Sequence, residues 1–175
     1  PRVTEIRVEN GRARGVAVID APVSGGGPAA SEGHLLVMVG GDEAVLDQVR
    51  PVFASYADPI VHLGDVGSGQ VTKLLNNLLF TANLATARTT LALGEALGIA
   101  PTNLSEVITR GSANSFALGS IARFGGSLDV LKQVAAELLH KDVSLIAGIA
   151  EKAGVAPGAV LDAADAALVL MDNPR

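Results

Sequence analysis

The stretch Gly67-Ser68-Gly69-Gln70-Val71-Thr72-Lys73-Leu74-Leu75-Asn76-Asn77 decides how this chain is read. Two glycines loosen the backbone, and an apolar helical run then begins at once with a lysine near its start. Residues three and four apart share a helix face, so Lys73, Asn76 and Asn77 form one polar cluster. A lysine and two amides inside a leucine-rich run are costly unless they face a cleft or find partners. From here the pattern runs without a proline from Gln70 to Leu97, and Gly98 supplies a C-terminal stop. One long helix is therefore expected.

Upstream the character is different. Val16-Ala17-Val18-Ile19 reads as a buried strand, Leu35–Val39 as a second and Pro59–Leu63 as a third. Asp42 is the expected N-cap of a helix from about Glu43 to Ala54, with Pro51 breaking or kinking its end. In Pro1–Arg14, a hairpin turn at Asn10-Gly11 and a short helix closed by Gly15 remain equal alternatives. Between the first two strands lies Asp20-Ala21-Pro22-Val23-Ser24-Gly25-Gly26-Gly27-Pro28, where the prolines argue against regular structure. Its glycines let backbone approach a ligand, and N–H groups beside the Ser24 hydroxyl would make an anion cradle. A plain surface turn is the alternative.

Downstream everything reads as helix. Pro101 opens a segment capped by Thr102 or Asn103 and ending at Arg110. A polar break at Gly111–Ser115 precedes a short apolar helix from Phe116, and Gly125-Gly126 breaks the chain again. Leu128–Lys152 and Gly158–Met171 complete the pattern. Residues 1–66 are thus expected to be strand-rich α/β, and residues 67–175 an all-helical domain.

Composition narrows the function. The 175 residues are 49% apolar but only 3% aromatic, so Ala, Val, Leu and Ile must supply the packing. A net charge of −5 offers no basic stripe for nucleic acid. The absence of cysteine excludes thiolate chemistry and disulfides, and makes a reducing cytoplasm the default. His34, His62 and His140 lie far apart, so no metal is expected, and no apolar run reaches membrane-spanning length.

Among the candidates for chemistry, Lys73 comes first, because a lysine in a dry cleft can trade protons near neutrality. Its bland alternative is a lysine snorkelling to solvent. Asn77, one turn on, is placed to hold a substrate oxygen. Lys141-Asp142 follows an apolar stretch ending at Leu138-Leu139-His140, and is either a solvated face or a pair in which Asp142 ties down a neighbouring helix end while Lys141 points into a cleft. His62 has no acidic neighbour in register to orient it and reads as a structural or surface residue rather than a catalytic one. Gly67–Thr72 is not a dinucleotide loop, since Thr72 replaces the third glycine and no suitable strand–loop–helix unit surrounds it.

Taken together, Asp20-Ala21-Pro22-Val23-Ser24-Gly25-Gly26, Gly67-Ser68-Gly69 with Lys73 and Asn77, and Lys141-Asp142 resemble the three ordered signatures of the β-hydroxyacid dehydrogenase family. That family includes 3-hydroxyisobutyrate, tartronate semialdehyde and 6-phosphogluconate dehydrogenases, and the resemblance covers about residues 15 to 160. It implies an α/β remnant, the last strands of a Rossmann-type domain, followed by an all-α domain built on a long interdomain helix. It implies Lys73 as catalytic acid/base, Ser24, Gly25, Gly26 and Asn77 as substrate-binding residues, and Lys141 beside the cofactor, NAD or NADP. It implies a small carboxylate substrate and a homodimer or homotetramer. Asn76 stands where phosphogluconate-type members carry a histidine, which favours the short hydroxyacid branch.

The family's glycine-rich cofactor fingerprint is absent from this sequence, and so is the Gly- and Asp-containing tail usual in relatives. The 175-residue chain alone is therefore expected neither to bind NAD(P) tightly nor to turn over. A catalytically silent helical dimerisation module is the competing expectation. The retained Ser24, Lys73, Asn77 and Lys141 weigh against it.

Overall fold

The computed structural model describes residues 9–11 and 13–175, and the chain forms two compact units, Pro1–Lys73 and Leu74–Arg175. Residues 9–11 are helical and Gly15 takes a left-handed φ of 68°, as the short-helix alternative requires rather than the hairpin. The rest of that alternative, residues 1–8 and 12, lies outside the described residues.

The N-terminal unit carries a three-stranded sheet in the order β1-β2-β3. Strand β1 (Val23–Ser24) pairs antiparallel with β2 (Leu35–Val39), and β2 pairs parallel with β3 (Ala57–His62). The parallel pair is joined through α2 (Glu43–Phe53), which follows the short α1 (Gly26–Glu32) in the chain. The expected Asp42 cap is present, its carboxylate accepting the Ala44 N–H at 2.8 Å. Pro51 stands inside the last turn of α2 and does not end it. Val37, Val39, Leu46 and Ala57 form the core here, with Phe53 and Ile60 packed against them. Tyr56 meets Phe53 edge-on, with ring centroids 6.2 Å apart.

Two expectations are corrected in this unit. Val16–Ile19 is not a ladder strand; among the described residues it meets no partner strand, and pairing begins only at an isolated antiparallel bridge, Asp20 with Gly40. Apolar β-branched residues favour a strand only where a neighbouring strand can satisfy their backbone. The proline- and glycine-rich segment is also more regular than expected. Pro22 precedes β1, and Pro28 falls in the first turn of α1, where its missing N–H removes no helical hydrogen bond.

From Ser68 the helix α3 runs 29 residues to Ala96, followed by Gly98 with φ 82°. The C-terminal unit continues with α4 (Pro101–Arg110), α5 (Phe116–Ala122), α6 (Asp129–Lys152) and α7 (Ala159–Leu170). Helix α4 is capped by Ala100 with Pro101 at its first position, not by Thr102 or Asn103. Proline is pre-set for that position, which moves the cap two residues upstream of Thr102 and three upstream of Asn103. Ser115 caps α5 by accepting the Leu118 N–H at 3.1 Å. The core of this unit runs through Leu84, Leu91, Ile121, Val143 and Leu168, all aliphatic and all essentially inaccessible to solvent. Small alanines such as Ala82, Ala85, Ala164 and Ala167 lie among them, as expected where helices pack closely without aromatic filler. An α/β segment followed by an all-helical one is thus the observed architecture.

Candidate functional site

In the N-terminal unit, the sheet edge presents the first cluster. Ser24 ends β1 half-buried, and Gly25 follows as the N-cap of α1 with φ 122°. A β-carbon at Gly25 would fall 2.5 Å from that of Ala29, so both its torsion and its packing demand glycine. Gly26, with φ 63°, opens α1. Among the described residues no side-chain cap hydrogen bond is made at this helix start, and its first-turn N–H groups have no intrahelical acceptor. Gly25 and Gly26 are exposed. The cradle expected from sequence is therefore a helix start rather than an irregular loop.

The same unit contains the start of α3. Asp20 bonds through its backbone to Gly40 in both directions, each at 2.9 Å. Its two carboxylate oxygens accept the N–H groups of Gly67, at 2.5 Å, and Gln70, at 2.7 Å. Lys73 lies one turn beyond Gln70 and is half-buried. The sequence places Asp20 inside a motif but gives it no task; its partners are 47 and 50 residues away, and no local signal announces them. His62 is half-buried, its Nε2 lying 2.7 Å from the Gly41 carbonyl oxygen.

In the C-terminal unit the second cluster is built around Asp142. Its side chain is 7% exposed, on the buried face of α6. One oxygen accepts the Asn77 side-chain N–H at 2.6 Å, and the other lies 3.2 Å from the Lys141 ammonium. Asn77 is itself buried, and its amide oxygen accepts from Asn76 at 3.1 Å. Asn77 therefore presents its amide in one fixed orientation, because a carboxylate can only accept. Lys141 is 60% exposed, so its ammonium is reachable by a solvent-borne group. Asp142 thus holds α3 as the second alternative required, but at Asn77 in the helix interior rather than at a helix end. Among the described residues no group of three or more His, Asp or Glu could hold a metal ion, and no helix is long and apolar enough to cross a membrane.

Comparison with known proteins bears on both clusters. A family model described as NAD-binding of NADP-dependent 3-hydroxyisobutyrate dehydrogenase matches residues 67–169, more than half of the chain. The chain belongs to the β-hydroxyacid dehydrogenase family. A second model, the NAD-binding domain of 6-phosphogluconate dehydrogenase, matches residues 1–64. Both parts are therefore related to NAD(P)-binding domains. Among curated relatives, 2-(hydroxymethyl)glutarate dehydrogenase of Eubacterium barkeri is 38% identical over 75% of this chain and 44% of its own length. The NAD-dependent L-serine dehydrogenase of Pseudomonas aeruginosa is 38% identical over 77% and 47%. The structure of Mycobacterium tuberculosis 3-hydroxyisobutyrate dehydrogenase with L-serine superposes with a TM-score of 0.79 at 29% identity, covering 93% of this chain and 58% of that one. The chain spans about half the length of the curated relatives it matches.

Proposed function

We propose that this chain is the substrate-handling part of an NAD(P)-dependent dehydrogenase acting on a small β-hydroxyacid, such as 3-hydroxyisobutyrate, or on the corresponding semialdehyde. The observation that carries the reading is the buried Asn77–Asp142 hydrogen bond, which joins the family's second signature to its third. A buried carboxylate that fixes an amide one helical turn beyond Lys73 is hard to account for in a silent module, where apolar packing would serve better.

The roles follow from the chemistry of each group. Ser24 and the first-turn N–H groups at Gly25 and Gly26 receive the substrate carboxylate, since uncapped helix donors favour an anion. Asn77 donates its second amide N–H to a substrate oxygen, its first being held by Asp142. Lys73 accepts the substrate hydroxyl proton during oxidation and returns it during reduction. The cofactor, when bound, supplies the hydride acceptor. The exposed Lys141 ammonium is chemically suited to one of its phosphates. We place the enzyme in the cytoplasm as a homodimer or homotetramer. We also infer that the 175-residue chain by itself neither binds NAD(P) tightly nor turns over.

The deciding experiment is Lys73→Ala in the protein as it is naturally encoded. Turnover should fall by about 10²- to 10⁴-fold, the range for loss of a general acid/base, with folding and cofactor binding retained. Near-wild-type rates would discard Lys73. Hydride transfer by the isolated 175-residue chain would discard its inferred inactivity.

A further inference from the structure

Asp20 does more than end a loop. It is half-buried where the end of β2 meets the start of α3, and three constraints converge on it. Its backbone is bridged to Gly40, its carboxylate holds the N–H groups of Gly67 and Gln70, and the surrounding space is closed. A β-carbon at Gly40 would fall 2.5 Å from one Asp20 oxygen and 2.8 Å from the Ser68 hydroxyl. A β-carbon at Gly69 would fall 2.4 Å from the Met38 carbonyl oxygen and 2.7 Å from the other Asp20 oxygen. Two glycines thus let the helix start press against the carboxylate.

A carboxylate at a helix N-terminus is favoured by the helix dipole and satisfies donors that the helix itself leaves open. Ordinary caps come from the residue just before the helix and fix only the local turn. Here the cap comes from 50 residues upstream of Gln70, and Asp20 stands four residues ahead of Ser24. One side chain therefore links the segment that leads into Ser24, Gly25 and Gly26 to the turn that leads into Lys73.

We propose that Asp20 is a positioning residue for the dehydrogenase reaction. It sets the height and rotation of the first turns of α3, and so the place of the Lys73 amine, relative to the Ser24–Gly26 anion site. This rests on the function proposed above and deepens it. A misplacement of about 1 Å at a reacting group can cost on the order of 10²-fold in rate. Asp20→Asn keeps the shape but offers one acceptor oxygen and turns an NH₂ toward a backbone N–H, so the helix start must shift.

The test uses the full-length natural polypeptide and whichever of 3-hydroxyisobutyrate, L-serine and 2-(hydroxymethyl)glutarate it oxidises. Asp20→Asn should lower kcat by about 10²-fold while the substrate KM stays within about threefold. The solvent deuterium isotope effect on kcat should rise, because proton transfer to a displaced amine becomes rate-limiting. Gly69→Ala, which leaves Asp20 in place but pushes the helix start away, should reproduce the same signature. The proposal is overturned by a kcat within about twofold of wild type. It is equally overturned if kcat falls only in proportion to the fraction of molecules that bind NAD(P)H, with the isotope effect unchanged, since that marks a purely structural residue. Insolubility of both variants would assign Asp20 to stability alone, and overturns the proposal too. Activity in Lys73→Ala is a different failure, of the function reading itself, as is a wild type that oxidises none of the three probes.

Discussion

Around β2, the N-terminal unit is held by a small apolar patch, Val37, Val39, Leu46 and Ala57, together with backbone donors gathered onto the Asp20 carboxylate. The helical unit is the reverse case. Its aliphatic core is continuous from α3 through α7, and among the described residues it buries a single carboxylate, Asp142. Both acidic groups hold a piece of α3, but they do so differently. Asp20 takes main-chain N–H groups at a helix end that need an acceptor in any case. Asp142 takes a side-chain amide in the interior, where a leucine pair would fill the space without any polar partner. The first arrangement fixes where a helix begins; the second fixes how one amide points within it, and both are forms of orientation that a binding site uses.

Three kinds of substitution sharpen that contrast. The largest effect is expected from Leu84→Ala, which removes a side chain with no solvent exposure from the continuous core. It should cost about 2–5 kcal/mol in denaturant unfolding. Leu46→Ala, equally inaccessible but set in the small patch, should cost less than Leu84→Ala, because fewer neighbours lose contact. The reverse order would break the comparison. Next comes Asp142→Ala, which leaves the Asn77 amide buried without its acceptor and should cost about 1–3 kcal/mol. Asp142→Asn, which keeps an acceptor, should recover part of this. Equal losses in the two variants would mean that charge rather than the hydrogen bond matters. The smallest effect is expected at Asp42→Ala, an ordinary local cap on α2, at about 1 kcal/mol.

Much of the architecture was legible because glycine and proline punctuate it. Gly98 and Gly154 take left-handed torsions just past α3 and α6, and Pro101 opens α4, so the helical unit could be read almost element by element. Leu35–Val39 was equally plain, a fully apolar run on a buried strand. Val16–Ile19 looked the same locally but meets no ladder among the described residues, and a strand is a property of two segments. The site was legible only as residue types at spacings. Lys73 and Asn77 announce themselves by helical period. The two acidic groups that hold their surroundings act across 47 to 65 residues, a distance that no local pattern encodes.

The aromatic poverty of the chain has a practical side. It has no tryptophan and one tyrosine, Tyr56, placed against Phe53 beside the sheet. Tyrosine emission therefore reports on the N-terminal unit alone, whereas far-ultraviolet ellipticity is dominated by the long helices of the other. The two units thus carry different spectroscopic labels without any engineering. Following both signals through one melt tells whether Leu46→Ala and Leu84→Ala loosen one unit each or bring both down together.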